Sequence, residues 1–325
     1  MIEQLPLFSN PVREAELLPT MLATTAKPMG APLTGSAPLK AAIVAWREYM
    51  ENESFTNDKF SIHTIKAFSG DLNLFAQFTG AGKNVGQLTT RELESWLQWQ
   101  RTAKKCSPKT YARRVTSLKS FFRWLTQRQV VGKDPAAPLI QQSVLSPLPG
   151  YLRDDEVEKA LQAAQRLRQA DKPDLRPHVL FTLLLQTGIK KSECLALIPN
   201  HVDLTNPDEP VVWIRYSDTK HRYKERKLKL DPAWIPAYRE YLAQYEPRDK
   251  VFPWSPRRLE YLLEDITNAG DLTKHISFEM CRWTCAVRDA RAGVDENLIR
   301  QKLGLSKIQW REIGMKLKRL VEGAA

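Results

Sequence analysis

Residues 277–305 read SFEMCRWTCAVRDARAGVDENLIRQKLGL, and their periodicity decides the architecture of the C-terminal half. Met280, Trp283, Thr284 and Val287 recur at three- and four-residue steps, so they share one face of a helix. Ala292-Gly293 is suited to end that helix, because glycine enters the left-handed conformation cheaply. Asp295 is placed to cap a second helix, with apolar positions at Leu298, Ile299 and Leu303, and Gly304 closes it. Arg282 stands apart. A guanidinium on a helix suited to burial needs a carboxylate partner or an anion.

The whole chain has 325 residues, enough for two domains with cores of their own. Its formal net charge of +12 points to a polyanionic partner, most simply nucleic acid. Cys106, Cys194, Cys281 and Cys285 form no C-x-x-C pair, and no histidine lies near Cys281 and Cys285 to complete a zinc set. All four read as reduced core residues of a cytoplasmic protein, and neither a metal nor a cofactor is expected. No signal peptide or membrane-spanning run is visible, so no membrane partner is expected.

Residues 1–38 are rich in Pro, Gly, Ala, Thr and Ser with little periodicity, and read as a mobile tail. From Leu39 the pattern is helical. One stripe carries Ile43, Val44, Trp46 and Met50, and a second carries Ile65, Phe68, Leu72, Phe75 and Phe78. Thr89 or Thr90 caps a third helix. Ser107-Pro108 opens a fourth, which runs through Tyr111, Val115, Leu118, Phe121, Phe122 and Leu125. The other face of this fourth helix and its approach carry Lys104, Lys105, Lys109, Arg113, Arg114, Lys119, Arg123 and Arg128 without an acidic residue among them. Solvated faces usually mix signs, so this one suits a phosphate backbone. Residues 138–150, proline-rich, read as a linker between a domain at 39–137 and another at 151–325.

In the second domain Leu175 to Leu185 is a buried helix leading to the Thr187-Gly188 turn. Ser192-Glu193 reads as a helix N-terminal pair satisfying backbone groups rather than a nucleophile and its base. Val211 to Tyr216 is a strand, Asp218 to Lys224 a hairpin tip and Arg226 to Leu230 the return strand. Arg215, Lys220, Arg222, Lys224, Arg226, Lys227 and Lys229 crowd this hairpin, and Arg257 and Arg258 begin a later helix. Ile313, Leu317, Leu320 and Val321 make the last segment amphipathic.

Taken together, these blocks carry a resemblance. Arg282-Trp283-Thr284, Ala286, then Ala292-Gly293-Val294-Asp295 and Leu303-Gly304 resemble the second conserved box of the tyrosine recombinase (phage integrase) family, H-x-x-R-H-T-x-x-A, A-G-V-D, L-G-H. Thr187-Gly188-Ile189-Lys190-Lys191-Ser192-Glu193-Cys194-Leu195-Ala196-Leu197 resembles the first box, T-G-x-R-x-S-E-L-x-A-L. Thr219-Lys220, Lys224-Glu225-Arg226 and Leu230 resemble the hairpin that carries the family's lysine. The resemblance spans roughly residues 62–310. It implies a mainly α fold: a helical SAM-like core-binding N-terminal domain of four or five helices, and a mainly helical integrase-like C-terminal domain with a small β-sheet. It also implies double-stranded DNA as partner. A C-terminal helix docks in this family on a neighbouring protomer, so its own copies or an active tyrosine recombinase are expected partners. Docking on its own domain is the simpler alternative. Gln4-Leu5-Pro6-Leu7-Phe8 resembles the Q-L-x-L-F peptide that docks on the bacterial sliding clamp, a motif carried by Gln4, Leu5, Leu7 and Phe8; an apolar tail packing on its own domain is the other reading.

The chemistry implied by the family is attack of a tyrosine on the scissile phosphate, with two arginines and a histidine stabilising the transition state and a lysine protonating the leaving oxygen. Here the first arginine falls on Lys190, the histidine on Glu279 and the residue after L-G on Leu305. The tyrosine falls near Gly314, and no tyrosine follows Tyr261. Only Lys220 and Arg282 keep their type. Lys190, Lys220 and Arg282 are therefore remnant catalytic positions, and the expectation is a DNA-binding accessory subunit in recombination or integration that has lost strand cleavage. Two alternatives stand beside it: a nucleophile relocated to Tyr216, Tyr223 or Tyr261, and a DNA-binding regulator. Arg282 is expected to pair with Glu279, one turn away.

Overall fold

The computed structural model describes residues 33–57, 60–140 and 147–323, except the side chains of 54–57. The chain divides into two compact units, residues 1–146 and 147–325, and the division falls within the proline-rich stretch 138–150.

The first unit is built from α1 (Leu39–Asn57), α2 (Ile62–Thr79), α3 (Thr90–Thr102) and α4 (Pro108–Gln127). Each helix after α1 starts on a side-chain cap. The Ser61 hydroxyl accepts from the Thr64 amide, and the Ser107 hydroxyl accepts from Thr110 ahead of Pro108. Thr89 and Glu92 form a capping box. The apolar stripes meet in a core around Trp46, Phe75, Trp96, Phe121 and Phe122, all essentially buried. Two positions depart from the periodic reading. Val44 is 51% exposed and Phe78 is 40% exposed, because α1 and α2 each present only one narrow face to the core. Gly35 and Ala37, read as part of the tail, are hydrogen-bonded into this unit. Gly86 N donates to Gly35 O at 2.9 Å, and Val85 N donates to Ala37 O at 3.0 Å. A Cβ on Gly86 would meet Gly35 O at 2.9 Å, so this close backbone approach depends on glycine.

The second unit wraps four helices around α6 (Leu175–Thr187), which packs on α5 (Asp154–Arg168), α8 (Trp234–Tyr245), α9 (Pro256–Ala269) and α10 (Phe278–Arg291). A short α7 (Lys191–Ala196) follows the Gly188 turn. An antiparallel sheet runs in the order β1 (Val202–Asp203), β2 (Val211–Ile214), β3 (Arg226–Lys229), with Val211 opposite Lys229 and Ile214 opposite Arg226. The strand β2 is shorter than expected, because Tyr216 N turns away to donate to Glu225 Oε1. The hairpin tip is a 3₁₀ segment, Thr219–Lys224.

The helix pair read from residues 277–305 is present as α10 and α11 (Glu296–Lys302), with Ser277 and Asp295 as caps and Gly293 and Gly304 at φ 76° and 59°. Leu298 was expected inward and is 56% exposed; α11 has two turns and turns only Ile299 and Leu303 to the core. Helix α12 (Lys307–Glu322) docks on its own unit, laying Leu317 and Leu320 against Trp283, Val287 and Ile299. Of the two expected destinations for this apolar face, its own domain is the one observed.

Candidate functional site

The sequence-predicted residues come together around the Gly188 turn. Gly188 adopts φ 59° and ends α6, which lets Lys190 stand at the N-cap of α7. Glu193, three residues on, reaches back to accept from Lys190 N at 2.9 Å, so the structural reading of Ser192-Glu193 holds. The same carboxylate accepts two hydrogen bonds from Arg226, at 3.0 and 2.8 Å, and one from the Tyr216 hydroxyl. Both charged side chains are buried, at 8% exposure for Arg226 and 1% for Glu193. Burial alone would push the Glu193 carboxyl up. The Arg226 hydrogen bonds and charge, then Tyr216 and the Lys190 amide, outweigh it and hold the carboxyl down, to about 2. The Tyr216 phenol is pushed up, by burial and by the carboxylate it donates to.

Arg226 was expected on DNA and is instead an internal strut. Its Nε also donates to Lys302 O at 2.7 Å, which ties β3 to the end of α11. The cause is geometric: the return strand enters the unit beside Glu193, and a buried carboxylate needs a fork-shaped partner.

Arg282 is buried at 9% exposure and donates to Gly188 O and Leu303 O. It joins the turn after α6 to the end of α11. Burial draws its pKa below the ordinary guanidinium value, with Glu193 opposing. The expected pair with Glu279 does not form. Glu279 lies on the exposed side of α10, where Oε1 accepts from Trp283 Nε1 at 2.8 Å, while Arg282 points into the turn. Proximity at i,i+3 was outweighed by two carbonyls from other segments. Lys190 is half-buried; burial lowers its pKa, Glu193 opposes, and Arg282, Lys224 and Arg226 add to the fall. Glu193 is thus the carboxylate partner of Arg226, with Lys190 and Arg282 within its field. Lys220 is exposed on the 3₁₀ segment, with its amide on Asp218 Oδ1. Leu305 is buried at 8%.

Gly314, where the family's tyrosine falls, is buried in α12 beneath the Trp310 indole. A Cβ there would meet Trp310 Nε1 at 3.0 Å and Cε2 at 3.1 Å. Of the tyrosines considered as relocated nucleophiles, Tyr223 is 68% exposed, with Lys224 Nζ 5.1 Å from its ring centroid. Tyr261 is 38% exposed, and its hydroxyl accepts from Arg257 Nε at 2.5 Å.

The basic face of the first unit divides. Lys104, Lys105, Lys109 and Arg123 are exposed. Arg113 donates to Asp71 Oδ2 at 2.7 Å and to Ala67 O at 3.0 Å. Arg114 is 12% exposed, donates to Gln100 Oε1 at 2.7 Å and lies 3.6 Å from Asp71 Oδ1. Lys119 binds Ala137 O and Leu139 O. The one-signed reading therefore fails for Arg113 and Arg114, whose balancing carboxylate, Asp71, comes from α2 and not from α4 itself; Lys119 is engaged by neutral carbonyls of the segment after α4. Asp71, 2% exposed, was missed; its one signal is an acid inside the apolar run between Phe68 and Leu72. In the second unit Arg215, Arg222 and Arg257 are exposed, while Lys224 and Arg258 are half-buried. Gln4, Leu5, Leu7 and Phe8 lie outside the described residues. Among the described residues there is no group of three or more side chains arranged for a metal, and no helix long and apolar enough to cross a membrane.

Comparison with known proteins supplies the family. The model of the phage integrase N-terminal SAM-like domain matches residues 45–129, and that of the phage integrase family matches residues 150–313, just over half of the chain. Tyrosine recombinase XerC of Mycobacterium sp. (strain KMS) is 26% identical over 280 residues, covering 83% of this chain and 92% of the relative. Tyrosine recombinase XerC of Mycobacterium tuberculosis (strain CDC 1551 / Oshkosh) is 36% identical over 145 residues, 44% of this chain and 48% of the relative. Among solved structures, XerH site-specific recombinase bound to difH substrate has a TM-score of 0.64 at 17% identity, covering 91% of this chain and 99% of that one. A lambda integrase dimer bound to a COC′ core site has a TM-score of 0.66 at 12% identity, covering 86% and 77%. These two share the fold. With both halves matched in order, and with the Gly188 turn, the β2–β3 hairpin and the α10–α11 pair where the motifs require them, the chain belongs to the phage integrase family, the tyrosine recombinases.

Proposed function

We propose that this chain binds duplex DNA and acts in DNA recombination without cleaving strands itself, as an accessory subunit beside a cleavage-competent recombinase. The observation that carries the reading is Gly314 beneath Trp310, in a chain with no tyrosine after Tyr261. A phosphotyrosine mechanism divides one difficult displacement into two easier ones, and without a positioned phenol neither begins. The rest of the site agrees. Lys190 is a point charge where a planar fork would grip two phosphate oxygens. Glu279 puts negative charge on the same helix. Two of the five N–H donors of Arg282 are committed to carbonyls. Removal of one preorganised donor costs on the order of 10²–10³ in rate, so these changes compound.

DNA binding is supported by the net charge of +12, by the exposed Lys104, Lys105, Lys109, Arg123, Arg215, Lys220, Arg222 and Arg257, and by family. The relatives are named tyrosine recombinases, and the structures sharing the fold are titled as complexes with difH and COC′ core-site DNA.

The test is a two-protein reaction. The duplex sites bound by the chain are footprinted, one is placed in a recombination reporter, and a cleavage-competent family member is added with and without the chain. Recombination that needs both proteins, with covalent adducts only on the partner, is the expected result. Recombined product from this chain alone would overturn the reading.

A further inference from the structure

We propose that a groove on the first unit, between α2, α3 and the start of α4, is a docking site for an acidic peptide segment of a partner protein that inserts one bulky apolar side chain. The groove offers about 620 Å³, within the volume range of ligand-binding clefts. Its floor is apolar and open. Leu74 and Phe78 lie one turn apart on α2 and are each 40% exposed, and Trp99 of α3 tilts against Phe78 with ring centroids 5.3 Å apart. Three large apolar side chains contiguous on a surface mark an interaction site more often than three scattered ones.

The exposed charge on the rim is that of Lys104. Lys104 holds its Nζ 5.0 Å from the centroid of the Trp99 ring, and Arg114 closes the inner end; no carboxylate lines the groove. The nearest acid of the network behind it, Asp71, is 2% exposed and sits 3.6 Å beyond the Arg114 guanidinium, out of reach of a ligand. The lip is held in place. Lys104 N donates to Trp99 O at 3.2 Å, Cys106 N donates to Gln100 O at 3.1 Å, and Lys105 between them takes φ 47°. A lysine in the left-handed region is there because its neighbours fix it, and the result is a cation preset over an aromatic ring. An apolar floor with a cationic rim fits an acidic segment with a central Phe, Trp or Leu: the anchor fills the pocket and the flanking carboxylates meet Lys104. Duplex DNA is the competing occupant. It fits worse, because its stacked bases offer no apolar side chain to a concave pocket and its phosphates seek exposed cations.

The proposal shares Lys104 with the DNA reading, so duplex DNA is run as a competitor, and the test uses the full chain. The probe is a pool of fluorescein-labelled dodecapeptides with one central Phe, Trp or Leu and Asp or Glu at alternate positions. A control pool carries Lys in place of Asp and Glu. Binding is read by anisotropy, and occupancy by protection of the Cys106 thiol, which lines the groove and is half-exposed while the other three cysteines are buried. The acidic pool saturates the chain and slows Cys106 alkylation. Phe78→Ser weakens it roughly tenfold, as loss of an anchoring contact does; Lys104→Glu, at an exposed position that leaves the fold intact, does the same. Circular dichroism checks both variants, and Lys104→Glu alone decides if Phe78→Ser fails to fold. Absence of saturable binding, equal binding of the control pool, or binding unchanged by Lys104→Glu overturns the proposal. So does protection of Cys106 by duplex DNA and not by peptide, which assigns the groove to DNA.

Discussion

Replacing Arg226 by methionine isolates the ion pair that replaces an expected DNA contact. The substitution keeps most of the buried stem and removes the guanidinium from Glu193, whose side chain is 1% exposed. Breaking a buried pair by removing one partner costs about 3–5 kcal/mol, because the other charge is left uncompensated. The titration of Glu193 gives a figure of the same order. A fall from 4.5 to about 2 on folding corresponds to about 3 kcal/mol of stability at neutral pH. A depressed carboxyl contributes fully above its unfolded value of 4.5, and the contribution is lost as pH falls from 4.5 towards 2. In Arg226→Met the largest remaining influence is burial, which raises the carboxyl. The deficit of the variant is therefore greatest at pH 7 and shrinks by pH 4.5, where Glu193 takes up a proton and ceases to be a stranded charge. Urea unfolding of the second unit reads this directly. With a slope of about 2 kcal/mol per molar, the midpoint falls by about 2 M at pH 7. The double variant Arg226→Met/Glu193→Leu recovers part of the loss, since it buries no charge. A wild-type midpoint at pH 7, or a deficit that does not change with pH, refutes the reasoning. Normal stability with weakened DNA binding shows instead that Arg226 faces phosphate.

Arg282→Ala leaves Gly188 O and Leu303 O without their donor; at about 1–3 kcal/mol for a buried unsatisfied group, it lowers the melting temperature while the salt dependence of DNA binding is kept. Lys109→Ala and Arg123→Ala each lower the slope of log K against log salt by about one in gel-shift titrations. Arg114→Ala instead destabilises the first unit, and a slope reduced by one without loss of stability would count against its internal role. Gly314→Tyr restores no cleavage and lowers stability by about 1–3 kcal/mol, the cost of overpacking against Trp310; adduct formation by this variant would show that the phenol alone was missing.

Local signals carried the fold a long way. Caps at Thr89, Ser107 and Asp295 start the helices where their side chains predict, because capping is decided within four residues. Gly188, Gly293 and Gly304 take the positive φ that their positions after helices imply. What escaped was the partner of each charged side chain. Arg113 and Arg114 meet an acid more than 40 residues away in sequence, on α2. Glu193 and Arg226, 33 residues apart, meet because β3 returns beside α7. The Arg282–Glu279 pair, anticipated from helical spacing, lost to carbonyls from two other segments. That Gly314 stands where the family's tyrosine falls was legible because it concerns residue type. That Trp310 covers the position was not, because it depends on how α12 packs.

One duplex tests both halves of the proposal that the chain holds DNA and does not cut it. A suicide substrate is made from the bound site, nicked beside the expected cleavage position so that a 3′-phosphotyrosine cannot religate, and incubated with the full chain. A native gel and a denaturing gel are run from the same tube. The expected result is a shifted complex on the native gel and free DNA alone on the denaturing gel. A covalent band on the denaturing gel whose peptide maps to a tyrosine of this chain, with Tyr223 and Tyr261 the exposed candidates, would contradict it.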